Sequence, residues 1–277
     1  MNLANIKTMF SKSRGGNVYQ MGRLNKLFHE KNLVVGTHIR SQDPCITELL
    51  AAVGFDVVWI ENEHSNLDKY QTTLHIMAAQ AEGAAAIVRL PWNDPVLAKP
   101  ILELGPDGVV FPMINSEEEA RKAVASCIYP PKGMRGMGPI RSNHYGLVSN
   151  EEYISNSDSQ VFKIMQIEHK KGVENIRKIL KVEGVDGIVV GQFDLSASLG
   201  ILPDVYNPKN LECIRTVFEA CKESGVICGI SSEPKEEIIR MWMDMGADFV
   251  FLCYEYDWIR MAAGEALKIA RKLGEER

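Results

Sequence analysis

Residues 54–91, GFDVVWIENEHSNLDKYQTTLHIMAAQAEGAAAIVRLP, hold one complete strand–helix–strand unit. The runs at 56–61 (DVVWIE) and 85–90 (AAIVRL) are short, apolar and rich in β-branched side chains, while 68–82 between them carries helical periodicity. Gly83 stands just past the helix, where a left-handed residue ends it. Both strand runs are nearly continuous in apolar character. That implies burial on both faces, as for parallel strands covered by helices.

The same unit repeats in both directions. Further strands are expected at 33–37, 107–111, 162–168, 186–190, 226–230 and 248–253, and further helices at 44–53, 94–103, 116–126, 171–181, 208–223, 234–244 and 256–274. Asp43-Pro44, Asn93-Asp94-Pro95 and Ser116 followed by three glutamates supply caps and early acids at helix starts, while Gly54, Gly105 and Gly225 follow helix ends. Eight strands paired with eight helices predict an α/β fold, a single (β/α)8 TIM barrel. An open doubly wound sheet would place a glycine-rich phosphate turn after the first strand, and Gly36-Thr37-His38-Ile39-Arg40 is not one.

At about 150 residues per domain, 277 residues leave one domain or two open; the eight units assign them to one, 1–277. Residues 1–30 form an N-terminal extension whose amphipathic stretch Met21–His29 reads as a helix plugging the barrel bottom. Residues 129–160, rich in Pro, Gly, Ser and Asn, form the longest interruption, expected as a functional or subunit-contact loop. Within it Tyr129–Gly136 reads either as a shaped loop that brings backbone amides or Arg135 towards the mouth, or as a purely structural turn.

Composition narrows the function. Hydrophobic residues make up 45% and charged residues 24%, which excludes disordered and disulfide-stapled classes. A net charge of -5 without a long basic run argues against nucleic acid as a partner. No apolar run approaches a membrane span and the start is polar and broken by glycines, so neither a signal peptide nor a membrane partner is expected. Six cysteines without a CxxC pair suit a reduced, cytoplasmic setting.

Barrel active sites lie at the carboxyl ends of the strands. There the sequence puts Glu61-Asn62-Glu63-His64, Arg89, Gln166-Ile167-Glu168-His169 and Gly191-Gln192-Phe193-Asp194. Glu168 and Asp194 follow consecutive strands and suit a hard divalent cation, Mg2+ or Mn2+ with Co2+ as a further option. His64 is the candidate acid/base, with Glu61 placed to orient its imidazole. Arg89 ends an apolar strand and points to an anionic ligand, or else to a salt bridge with Glu61 or Glu168. His38 and His169 are expected near the mouth; His29 and His75 are expected to be structural.

With these residues in place, the chain resembles the HpcH/HpaI aldolases, metal-dependent class II pyruvate aldolases acting on 4-hydroxy-2-oxo acids. The resemblance runs over about residues 33–255. It rests on Gly54-Phe55-Asp56 leading to Glu63-His64, Val88-Arg89-Leu90-Pro91, Phe111-Pro112-Met113, Tyr129-Pro130-Pro131-Lys132-Gly133-Met134-Arg135-Gly136, Gln166-Ile167-Glu168 and Asp194-Leu195-Ser196. It implies that Glu168 and Asp194 hold the metal, that His64 is the acid/base and that Arg89 faces the enolate oxygen. It further implies that Gln166 lies at or beside the metal and that the amides of Gly191, Gln192, Phe193 and Asp194 receive the pyruvate carboxylate. Three departures stand out. Glu61-Asn62 replaces an Asp-Gly or Asp-Thr pair, Gln192-Phe193 replaces a small Pro-Ala or Pro-Ser turn, and His169 replaces a threonine.

The expected activity is reversible cleavage of a 4-hydroxy-2-oxo acid to pyruvate and an aldehyde. Alternatives are a lyase or decarboxylase of a dicarboxylic 2-oxo acid, or a non-catalytic 2-oxo-acid-binding protein on the same scaffold. The C-terminal stretch Tyr256–Lys272 is amphipathic through Ile259, Met261, Ala262, Ala266, Leu267, Ile269 and Ala270. It packs either as the eighth barrel helix or, as the resemblance implies, exchanged between subunits of a homo-oligomer, a dimer or a hexamer built from dimers.

Overall fold

A computed structural model describes residues 22–276. Eight parallel strands close into a barrel in sequence order: β1 (Val34–Ile39), β2 (Val57–Glu61), β3 (Ala85–Arg89), β4 (Gly108–Phe111), β5 (Phe162–Ile167), β6 (Gly187–Val190), β7 (Ile227–Ser232) and β8 (Phe249–Tyr254). The helices are α1 (Arg23–Glu30), α2 (Pro44–Val53), α3 (Lys69–Ala81), α4 (Pro95–Glu103), α5 (Glu117–Cys127), α6 (Asn150–Gln160), α7 (Lys170–Ile179), α8 (Gln192–Ser198), α9 (Pro208–Ser224), α10 (Glu236–Met245) and α11 (Glu255–Glu275). The expected caps form: Asp43, Asp94 and Ser116 accept from the amides of Cys45, Val96 and Glu119, and Gly54 and Gly225 end α2 and α9 in the left-handed conformation.

Alternation along each strand separates two cores. Val58, Ile60, Ala86, Val88, Met165 and Ile188 face the surrounding helices. Val34, Val57, Trp59, Ala85, Ile87, Phe162, Ile164 and Phe251 fill the barrel interior. Continued by two residues, the inward series ends in Glu61, Arg89 and Gln166, so the period of two carries these polar groups to the mouth. Glycines admit the interior aromatics: a Cβ on Gly36 would lie 2.3 Å from the Phe251 ring.

The lower end is closed as expected. From α1, Leu24, Leu27 and Phe28 join the interior cluster, with the Phe28 ring 5.6 Å from Phe162 and 5.8 Å from Phe249. Met21 and the earlier part of the 1–30 extension lie outside the described residues.

Two features differ from expectation, and a third bears on a choice the sequence left open. The 129–160 interruption contains α6 and joins α5 to β5, so both its ends lie at the amino ends of the strands, opposite the mouth. Arg135 is buried there, donating to the Tyr153 hydroxyl at 2.7 Å and pairing with Glu103 at 3.5 Å. It cannot reach the mouth, because helices run against the strands and their carboxyl ends meet the bottom. Secondly, β7 and β8 extend beyond 230 and 253, adding Ser231 and Tyr254 to the mouth. The third is α11, which docks only through its first turn: the Trp258 indole donates to Thr37 Oγ1 at 3.1 Å. Residues 259–276 are exposed, so α11 does not serve as an eighth barrel helix on its own chain.

Candidate active site

A cavity of about 350 Å3 opens at the carboxyl ends of the strands. Its wall includes His64, Arg89, Gln166 and the whole Gly191–Asp194 turn. A larger depression of about 680 Å3 lies outside the barrel between α9 and α10 and carries none of the strand-end groups.

Glu61 and Arg89 are direct partners across β2 and β3. Arg89 Nε donates to Glu61 Oε2 at 2.8 Å and its Nη2 binds the same oxygen. Arg89 Nη1 lies 2.9 Å from Glu63 Oε2 and donates to Gln166 Oε1 at 3.3 Å. Two carboxylates thus offset this guanidinium, realising the salt-bridge reading with Glu61. The other Glu61 oxygen accepts from the amides of Glu63 at 2.7 Å and His64 at 3.1 Å.

This corrects the expected orientation of His64 by Glu61. Glu61 lies on the inward face of β2 and its carboxylate is spent on Arg89 and on the turn backbone. Beside the ring stands Glu63 instead, 3.7 Å from His64 Nε2, with the imidazole more than half exposed to the mouth. Glu63 was missed as a participant. Its signal was the alternation itself, since it continues the Val57–Trp59–Glu61 series by two.

Glu168 is 3% exposed. Its Oε1 accepts from the Met113 amide at 2.7 Å, and its Oε2 accepts from Gln166 Nε2. Gly191 is required beside it: a Cβ there would meet Glu168 Oε2 at 2.7 Å. Gly191 is followed by α8, whose first amides have no side-chain cap. Asp194 is exposed on the cavity wall, and Phe193 stands at the rim with 57% exposure, so its ring does not fill the pocket. His169 accepts from the Lys171 amide at 3.2 Å and caps α7.

Electrostatics give these acids a common feature. Burial, reinforced by Glu61 and Asp194 and opposed by Arg89, pushes Glu63 up to about 7. Burial also pushes Glu168 up to about 7, against its bonds from Gln166 and Met113 and with Glu63 and Asp194 adding repulsion. A shortage of positive charge is what a cation site looks like before its ion is counted. Among the described residues no group of three or more His, Cys, Asp or Glu side chains forms a complete ligand set. The donors present, two carboxylates and the Gln166 amide, fit a hard divalent ion that keeps water or substrate oxygens in its remaining positions.

On the opposite wall the sequence places only His38, which does line the cavity. Arg40, Ser231 and Tyr254 join it there. His38 Nε2 lies 2.9 Å from Ser231 Oγ, and its ring packs 4.9 Å from Trp59. Arg40 Nη2 donates to the Tyr254 hydroxyl at 2.8 Å. A register shift between Thr37 and His38, with Cys253 at φ 49°, sets Tyr254 opposite His38. His75 is structural in its setting, buried and 2.7 Å from Thr47 Oγ1 between α2 and α3.

A family model described as HpcH/HpaI aldolase/citrate lyase matches residues 35–255. The 5-keto-4-deoxy-D-glucarate aldolase of Citrobacter koseri is 36% identical over 221 residues, covering 79% of this chain and 85% of that protein. A solved HpcH/HpaI aldolase/citrate lyase family protein from Burkholderia cenocepacia J2315 superposes with a TM-score of 0.84 at 28% identity, over 90% of this chain and 98% of that one. The HpcH/HpaI aldolase from Desulfitobacterium hafniense DCB-2 also reaches 0.84 at 28% identity, over 91% and 97%. On sequence and fold together, the chain belongs to the HpcH/HpaI aldolase/citrate lyase family, carbon–carbon lyases of the class II pyruvate aldolase type.

Proposed function

We propose that the chain reversibly cleaves a 4-hydroxy-2-oxo acid to pyruvate and an aldehyde. The observation that carries this reading is the meeting of His64, Arg89, Gln166 and Asp194 on one cavity wall, with Glu168 directly behind Gly191. Relatives named 5-keto-4-deoxy-D-glucarate aldolases support it.

Glu168 and Asp194 would hold Mg2+, Mn2+ or Co2+, with Gln166 beside them. That ion supplies Lewis-acid stabilisation of the charge left on the keto oxygen. The free amides of Gln192, Phe193 and Asp194 at the start of α8 receive the pyruvate carboxylate. Arg89, fixed by Glu61 and Glu63, turns its remaining donor hydrogen to the keto oxygen. His64 removes the proton from the 4-hydroxyl, directly or through one water. The C3–C4 electron pair then becomes the enolate double bond as the C4 oxygen becomes the aldehyde carbonyl. Protonation at C3 gives pyruvate, and the reverse order gives aldol addition. Glu63, whose carboxylate stands beside the ring, is placed to orient His64.

Pyruvate release from a panel of 4-hydroxy-2-oxo acids, assayed with Mg2+ or Mn2+ and after EDTA, tests this reading. Turnover that requires metal is expected. Cleavage undiminished by thorough chelation would remove the metal from the mechanism, and binding without turnover would make the chain a 2-oxo-acid-binding protein.

The assembly reading follows from α11. Ile259, Leu267, Ile269 and Leu273 are each more than half exposed, as are Leu49 and Val53 on α2. Isolated, such a face is costly in water. A homo-oligomer in which α11 is exchanged between copies covers it. All six cysteines are unpaired, in keeping with a reducing, cytoplasmic setting.

A further inference from the structure

Two arginines line the mouth, and they differ in what balances them. Arg89 is offset by Glu61 and Glu63. Arg40 forms no ion pair among the described residues. Its Nη2 is bound to the neutral Tyr254 hydroxyl, its Cζ lies 3.9 Å from that ring's centroid, and its buried Nε has no acceptor. Beside it His38, 3% exposed, uses Nε2 on Ser231 and leaves Nδ1 buried without a partner. These groups share one cavity with Gln166 and Asp194.

A partly buried guanidinium with unused donors is unfavourable until an anion meets it. Its planar fork matches a carboxylate in two parallel bonds. The Tyr254 ring lies under the guanidinium carbon and its hydroxyl holds Nη2, so the group is restrained at two points. The surroundings set the size of the charge received. His38 is held neutral by burial and by Arg89 and Arg40, so Arg40 alone supplies positive charge on this wall. One cation suits a monovalent carboxylate better than a doubly charged phosphate.

We propose that Arg40, backed by Tyr254 and flanked by His38 and Ser231, is the specificity-determining residue for a carboxylate at the far end of the substrate. This deepens the aldolase reading and rests on it: the keto-acid end lies toward Glu168 and Asp194, and the leaving aldehyde bears the second carboxylate. The cleaved bond then lies between two anion sites, and Arg40 is the residue of this chain that reads the second.

Calorimetry with Mg2+-loaded protein tests this without turnover. The probes are 2-oxoglutarate and 2-oxoadipate against the length-matched monoacids 2-oxopentanoate and 2-oxohexanoate. The wild type is expected to hold at least one diacid about tenfold or more tighter than its matched monoacid. Arg40→Met is expected to lose most of that ratio, Arg40→Lys to keep part of it, and Tyr254→Phe, which retains the ring, to lose a fraction. Melting curves check that each variant folds, and Tyr254→Phe serves if Arg40→Met does not. Monoacid binding with no diacid preference overturns the subsite and leaves the aldolase reading standing; binding of neither class overturns both. An equal loss of both classes in Arg40→Met makes the residue structural. A tighter hold on 4-phosphono-2-oxobutanoate than on 2-oxoglutarate overturns the carboxylate assignment.

Discussion

Arg89 Nε lies 2.8 Å from Glu61 Oε2 on the neighbouring strand, with Glu61 fully buried and Arg89 8% exposed. The pair welds β2 to β3 at the rim and fixes the turn that carries His64. Removing one member leaves a buried charge uncompensated, which costs about 3–5 kcal/mol. Glu61→Gln is expected toward the lower end, because Glu63 still faces Arg89, and Arg89→Met toward the upper. Denaturant unfolding of the two variants measures the difference.

His64 and Glu168 are expected to separate chemistry from metal binding. His64→Ala should lower turnover by about 10²–10⁴-fold, the usual contribution of a positioned acid/base, while metal affinity changes little. Glu168→Ala should lose both. Metal titration beside steady-state kinetics distinguishes them, and equal metal loss in the two variants would contradict the assigned roles.

The raised carboxyls predict the pH dependence of the metal-free protein. Glu63 and Glu168 move from an ordinary 4.5 up to about 7, so the folded state holds their protons more tightly than the unfolded state. Their stabilisation is full below about 4.5 and is lost as pH rises through about 7. The melting temperature of chelated protein should therefore fall between about pH 5 and pH 8, less steeply in Glu168→Gln. Divalent metal should oppose the fall and bind more tightly across the same window, since it takes the deprotonated ligands.

The exposed face of α11 predicts its own outcome. Leu267 and Ile269 are 51% and 52% exposed and have no packing on their own barrel. Leu267→Asp with Ile269→Asp should leave far-ultraviolet circular dichroism unchanged and dissociate the assembly in sedimentation velocity. An unchanged sedimentation coefficient would mean that α11 is not the interface.

The barrel itself was written locally. Parallel strands buried on both faces must be apolar throughout, and amphipathic helices must repeat at 3.6 residues, so eight units could be counted along the chain. Strand ends then gave Glu61, His64, Arg89, Gln166, Glu168 and Asp194, because polar groups that interrupt buried runs point into the mouth. Arg40, unlike His38, was harder to see. β1 continues past Thr37, and nothing local distinguishes an arginine that ends a strand unpaired from one that ends it in a salt bridge.

Pairing was decided only by the tertiary structure. Arg89 and Arg40 look alike in sequence, yet strand register sets Glu61 directly across from Arg89, while the shift at Thr37 and His38 gives Arg40 a neutral tyrosine from 214 positions away. The direction of the helices likewise carried Arg135 to the far end of the barrel. Periodicity determines which face a side chain takes. What waits on that face depends on closure of the barrel between β1 and β8, a contact between segments that carry no local record of each other.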